Sequence, residues 1–311
     1  MSLTRKFKQA DRALSLTEAQ TEKELKKSYE NVLKEVQGEL AVTYAQFGQG
    51  GKVEYHVMNR YHRLKKLEDT VITHLNKYSR KKANILKSSF KNQYADSFYR
   101  TAFALETEAA AKLGFRQLKE DVIMDAINNP ISGLTLSDTL AGHRTDLIRN
   151  IRREITQGLI RGESYELMAK RLEKRLDGDY KKALRVARTE SHRVQQEGRL
   201  KSMEHAADQG VIMKKMWVAT LDESTRDAHE ELDGKMVEVD DDFTSSNGGR
   251  GPAPGQMGTA EDDINCRCTV VTVIEGFEPK VRRSREVEGK RGEIKQYKTF
   301  KQWKKGRIDA A

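Results

Sequence analysis

Two cysteines, Cys266 and Cys268, stand on either side of one residue in Asn265-Cys266-Arg267-Cys268, directly ahead of the β-branched run Thr269-Val-Val-Thr-Val-Ile274. Alternate side chains of a strand share a face, so both thiols point the same way. Such a pair can hold one soft metal ion, a structural zinc for instance, with His229 as third ligand and Asp222 or His192 as fourth. The spacing is tighter than the two-to-four-residue gap of a zinc knuckle, and two cysteines this close do not readily form an unstrained disulfide. The competing account makes them two small buried hydrophobes that anchor a loop.

A second group, Asp222, Arg226 and His229, is spaced four and three residues apart, which on a helix places all three on one stripe. An aspartate at a helix start accepts backbone N–H groups and pairs with an arginine one turn on. On that account the three are an N-cap, an ion pair and a hydrogen-bonded imidazole. On the chemical account His229 and Asp222 bind a metal or do acid–base work. Arg188 and Glu190, in Ala187-Arg-Thr-Glu190, are placed to pin the 265–268 loop against their helix, with Asn265 capping its turn.

These residues need elements to position them, and the apolar periodicity supplies most of them. Steps of three and four through Leu25, Tyr29, Val32, Val36 and Leu40 predict a helix over 16–47, stopped by Phe47-Gly-Gln-Gly-Gly51. Val57, Tyr61, Leu64, Leu67, Val71, Leu75 and Tyr78 begin a longer helix whose stripe continues through Phe90, Tyr94 and Phe98 toward Lys112, completing an antiparallel hairpin. Helical spacing assigns those aromatics to a core or seam, not to a platform for stacking bases. A short helix over 115–129 ends before Pro130, and Thr135 or Ser137 caps another that runs to about Leu159 and closes at Gly162. A brief helix from Ser164 stops near Gly178, and Asp179 opens the longest one of this half, ended by Gly210.

Beyond Gly210 the period shortens. Residues 211–219 read as a strand, Ser224-Thr-Arg-Asp227 as a capping box for a two-turn helix through Leu232, and 236–239 as a short strand. Residues 245–260, with five glycines and two prolines, read as a long irregular loop, and 268–274 as the closing strand. The fold class is therefore mainly α with a small α+β module toward the C-terminus: a helical arm over 1–130, a module over 135–276 and a basic tail over 277–311.

Composition limits what such a chain can be. Of 311 residues 33% are charged and only 37% apolar, which suits long helices with narrow apolar stripes better than a thick sandwich or barrel. No run of apolar residues is long enough to span a bilayer, and the basic N-terminus lacks the apolar stretch of a secretory signal. Charge is unevenly spread: +7 over 1–134, +4 over 135–210, −8 over 211–276 and +7 over 277–311. Basic ends around an acidic module suit a protein placed between nucleic acid and other proteins. In the tail, Arg282, Arg283, Arg285, Lys304 and Lys305, interspersed with Tyr297, Phe300 and Trp303, would neutralise phosphates without sequence preference or order on a protein partner.

Taken in order, Ala187-Arg188-Thr189-Glu190, Trp217-Val-Ala-Thr-Leu-Asp222, the Asp222/Arg226/His229 group with Leu232-Asp-Gly234, and Asn265-Cys-Arg-Cys268 resemble the Mu F-like family of phage head morphogenesis, or minor capsid, proteins over about residues 179–273. The resemblance implies a virion protein, made in the host cytoplasm and held in few copies in the capsid interior near the portal. It would support capsid assembly and DNA packaging or ejection. The implied partners are the portal protein, coat or scaffolding protein, and double-stranded DNA bound non-specifically. It implies no catalytic residue. One alternative is an ADP-ribosyltransferase, toxin-like or metal-dependent enzyme built on Asp222, His229, Cys266 and Cys268. The transferase form lacks its expected Ser-Thr-Ser strand and Glu-x-Glu pair, Glu230 and Glu231 being adjacent. A plain non-specific DNA-binding protein is the other alternative.

Overall fold

The computed structural model of the chain describes residues 3–129, 133–220, 222 and 224–274. Helices α1 (Leu3–Phe47), α2 (Tyr55–Asn59), α3 (Arg63–Glu108), α4 (Glu120–Asn128), α5 (Leu136–Ile160) and α6 (Tyr165–Asp208) come first. Then follow β1 (Met213–Val218), α7 (Asp227–Glu231), β2 (Met236–Glu238), β3 (Phe243–Thr244), β4 (Arg250–Gly251), α8 (Ala260–Asp263) and β5 (Thr269–Ile274). This is the expected class, mainly α with a small β-containing module near the C-terminus. Contacts gather the described residues into two compact units, one drawn from those within Met1–Thr17, Phe90–Gly133 and Thr189–Ala311, the other from Glu18–Ser89 and Leu134–Arg188. The basic-tail residues Arg282, Arg283, Arg285, Lys304 and Lys305 lie outside the described residues.

The second unit is built from four helical segments that share one apolar core. Val32, Val36 and Leu40 of α1, Leu67, Val71 and Leu75 of α3, Leu147, Ile151 and Ile155 of α5, and Met168, Leu172 and Leu176 of α6 are all buried in it. These are the stripes that the period of 3.6 predicts. Thr135 starts α5 as expected, with a reciprocal capping box in which its hydroxyl accepts from the Asp138 N–H and the Asp138 carboxylate takes the Thr135 N–H. Within this core Lys82 Nζ lies 2.7 Å from Asp179 Oδ2, both side chains almost wholly buried.

Several element boundaries depart from the sequence reading. The helix expected from Val57 is split by a 3₁₀ turn over Arg60–His62, where Tyr61 (φ 52°) and His62 (φ 55°) are left-handed. Arg63 holds the break, donating to the Val57 carbonyl and lying 4.5 Å over the Phe47 ring. Helix α1 begins at Leu3, well before residue 16, because Leu3, Phe7, Ala10 and Leu14 carry the same buried stripe. Helix α3 ends at Glu108, not near Lys112; Ala110 and Gly114 turn left-handed and the Glu106 carboxylate accepts the Leu113 N–H. The expected stop near Gly178 does not occur, and α6 runs unbroken across it. An interior glycine costs only about 1 kcal/mol against alanine, which the continuous stripe from Met168 to Met203 outweighs.

In the first unit the sheet order is β2-β1-β5, antiparallel throughout, with Trp217 opposite Val270 and Lys215 opposite both Val237 and Thr272. Helix α6 supplies partners for β5: Gln196 accepts the Val270 N–H, and Arg199 donates to the Val270 carbonyl. These side chains satisfy backbone groups that an edge strand otherwise leaves open. Gly198, on the same helix, lets the α3 backbone approach, since a Cβ there would sit 2.5 Å from the Tyr94 carbonyl oxygen. Phe90, Tyr94 and Phe98 are buried, as their helical spacing requires. The segment 245–260 is the irregular loop expected, apart from β4, which pairs with β3 in a short hairpin, and the start of α8; at Gly251 a Cβ would clash with the Gln256 carbonyl at 1.8 Å.

Candidate metal centre

His229 sits on α7, a single turn that follows an extended Arg226, and it is 1% exposed. Cys266 and Cys268 lie just ahead of β5 and are 3% and 2% exposed. The three meet: Sγ of Cys268 is 3.4 Å and Sγ of Cys266 3.7 Å from Nδ1 of His229. The other ring nitrogen, Nε2, lies 3.2 Å from Oδ1 of Asp262 on α8. Asp262 is itself held by Ser245 (3.1 Å), Asn247 (3.3 Å) and Thr259 (3.0 Å). Its neighbour Asp263 accepts the Met257 and Gly258 N–H groups, which locks the preceding glycine-rich turn. Close approach of that turn depends on Gly249, where a Cβ would stand 2.1 Å from Asp262 Oδ2. Trp217 closes the site from the sheet, its ring edge-on to the imidazole at 5.3 Å.

Charge in the cluster is polarised. A hydrogen bond from Cys266, then one from His229, draws the Cys268 thiol down to about 5. Sharing that proton, together with burial, pushes Cys266 well up. Burial alone would lower His229, but the hydrogen bond and negative charge of Cys268 raise it. Asp262 is lowered, its own burial being outweighed by the hydrogen bonds from Thr259, Ser245 and Asn247.

The remaining predicted residues fall elsewhere. Asp222 does not share a helical stripe with Arg226 and His229: the Ser224–Asp227 capping box does not form, and α7 starts only at Asp227 with no side-chain cap. Asp222 pairs instead with Arg267 through two hydrogen bonds of 2.6 and 2.7 Å, which hold its carboxyl down at about 2. Arg226 donates to the Ile264 carbonyl at 2.5 Å and so ties α7 to the cysteine loop. Neither Arg188 nor Glu190 pins that loop. Arg188 pairs with Glu22, Glu190 with Arg193, and the residue between them, Thr189, accepts the Asn265 N–H at 3.2 Å. Asn265 does close the turn after α8, with a left-handed backbone of φ 56°. Asp262 escaped the sequence reading, although Thr259-Ala-Glu-Asp262 is a capping pattern and Thr259 does accept the Asp262 N–H.

Neither expected fourth ligand joins the group. Among the described residues the ligand atoms that gather within 4.8 Å are those of His229, Cys266 and Cys268. His192 is nearby on α6, its Nε2 buried and without a hydrogen-bond partner among the described residues. Burial first, then the Arg199 charge, pushes its pKa down to about 4. The unfolded chain accepts a proton below about 6.5 that the folded chain refuses until about 4, so the fold loses stability as pH falls through that window. From neutral pH to about 4.5 we expect this residue to cost roughly 2 kcal/mol. Urea unfolding of the wild type and of His192→Gln at both pH values measures it, and a gap between the two proteins that ignores pH would contradict the assignment.

Residues 149–271, which include His192, His229, Asp262 and both cysteines, match the family described as phage Mu protein F like protein. Across 295 residues, 95% of each chain, the sequence is 39% identical to minor head protein GP7 of Bacillus phage SPP1. The chain belongs to the phage Mu protein F-like family. The family expected from the four ordered patches is thereby established. This Mu F-like chain is also 35% identical over 246 residues to the NAD(+)–arginine ADP-ribosyltransferase EFV of Enterococcus faecalis, covering 79% of the chain but 50% of that protein. An uncharacterized protein of Haemophilus influenzae is 25% identical over 142 residues, 45% of the chain. No solved structure matches the Mu F-like chain. Among its described residues no helix is long and apolar enough to cross a membrane.

Proposed function

We propose that the chain is a minor head protein that acts in capsid assembly near the portal and in DNA packaging or ejection. The observation that carries this reading is the 39% identity to a minor head protein over 95% of both chains, which leaves no large segment of either unmatched. On this reading it is a virion component of the capsid interior, with the portal protein and coat or scaffolding protein as partners. The basic stretch from Arg282 to Lys305 would neutralise DNA phosphates without reading sequence. Its part is structural, not catalytic. Co-expression with the portal protein of the same phage tests it: co-purification that survives high salt is expected, and two proteins that elute separately would remove the portal from the reading. A plain DNA-binding role predicts the reverse, affinity that collapses with salt and disappears when residues 277–311 are deleted.

The transferase similarity favours a second reading, in which the chain modifies arginine with NAD(+). Since the chain spans half of that protein, the shared part need not be the catalytic part. Incubation of the purified chain with labelled NAD(+) and an arginine-rich acceptor separates the two, because sustained label transfer belongs to an enzyme alone.

A further inference from the structure

We propose that Cys266 Sγ, Cys268 Sγ and His229 Nδ1 together bind one thiophilic divalent cation of the zinc class, with Asp262 as the carboxylate that orients the imidazole. The inference is independent of the head-assembly reading and concerns how the C-terminal module is held together.

Three features of the geometry converge on it. First, the separations match those that one shared ion sets. A tetrahedral ion with about 2.3 Å to sulfur and about 2.0–2.1 Å to nitrogen sets sulfur–nitrogen distances of about 3.6 Å, and the two here are 3.4 and 3.7 Å. Second, the imidazole has only one lone pair to offer. With Nε2–H donating to Asp262, the Nδ1 lone pair faces both sulfurs, and the three ligand atoms lie within 4.8 Å of one another, so one cation serves all three in place of the proton that they otherwise share. Third, the support behind the ligand is complete. Asp262 is fixed by Ser245, Asn247 and Thr259, so the tautomer that turns the Nδ1 lone pair toward the sulfurs is set before any ion arrives.

The order Cys268–His229–Asp262 is also that of a nucleophile, base and orienting acid. Two facts favour the ion. A nucleophile needs one thiol, and here a second competes for the same nitrogen; it also needs access, and both sulfurs belong to residues no more than 3% exposed. The enclosed donors describe a staple. His229 and Cys266 are 37 residues apart in sequence, so one ion would tie α7 to the start of β5 across everything between them.

The test uses the full chain purified without chelators. Elemental analysis should find one zinc per chain, and replacement by cobalt should give a thiolate-to-cobalt charge-transfer band together with the visible bands of a tetrahedral site. Cys268→Ser should abolish the band. Asp262→Asn keeps all three ligands and should weaken binding about 10–100-fold, whereas Asp146→Asn, a surface residue of α5 paired with Arg149, should not change it. Should the cysteine variant fail to fold, the cobalt titration of the wild type against Asp262→Asn decides alone. A folded wild-type chain that carries far less than one ion, gives no cobalt band and reacts at both thiols with a thiol reagent overturns the proposal.

Discussion

Replacing Asp179 by alanine should destabilise the unit of Glu18–Ser89 and Leu134–Arg188 by about 3–5 kcal/mol, the cost of leaving one charge of a buried pair alone. Lys82 Nζ and Asp179 Oδ2 are 2.7 Å apart, with side chains 1% and 4% exposed, and the ammonium also lies 5.0 Å over the Tyr78 ring. The Tyr78 hydroxyl is pushed far up by burial and then by the Asp179 charge, so it stays neutral and leaves the lysine charge uncompensated in the variant. Net worth of the pair is a different quantity. Bringing both ions out of water costs nearly what their attraction returns, so Lys82→Met with Asp179→Leu should recover most of the loss or exceed the wild type. Urea unfolding of the three proteins checks both statements. A single variant within about 1 kcal/mol of wild type would mean that water reaches the pair.

Trp217→Ala should cost about 3–5 kcal/mol, with the damage confined to the other unit. The side chain is fully buried in the middle strand of the sheet and meets Phe243 and His229 edge-on, each at 5.3 Å. Truncation loses apolar burial, two aromatic contacts and the wall against which the imidazole rests. Trp217→Phe separates these contributions. It keeps most of the ring area and removes an indole N–H that has no acceptor among the described residues, so its cost should be well under half that of alanine. Equal losses for the two substitutions would place the energy in the indole nitrogen and contradict the packing account. Denaturant unfolding followed by circular dichroism gives the values.

How much of this was legible beforehand depends on the range of the interaction. The α5 cap at Thr135, the buried aromatic stripe of α3, the glycine stop at Gly210 and the three strands of the β2-β1-β5 sheet were all readable, because each follows from residues within a turn or two of one another. The Gly178 stop and the late start of α1 were misread for the converse reason. A local signal of about 1 kcal/mol was set against tertiary burial of whole stripes, and burial won. For the site, two thiols on one face and a histidine as their third partner were readable. Their supporting carboxylate was not, since Asp262 reaches His229 only through the fold of α8 against α7.

The sequence by itself determined the helical class, the family and the Cys266–Cys268 pair, since periodicity, ordered patches and strand alternation are properties of the chain in one dimension. Partner choice among charged residues was decided only by tertiary structure. Spacing offered Asp222 to Arg226 and Arg188 to the cysteine loop, whereas the fold gives Asp222 to Arg267 and Arg188 to Glu22. Long charged side chains find several partners at similar local cost, and the selection falls to whichever backbone the packed core carries within reach. For the same reason the loop is held by Thr189, the short residue between two conspicuous charges.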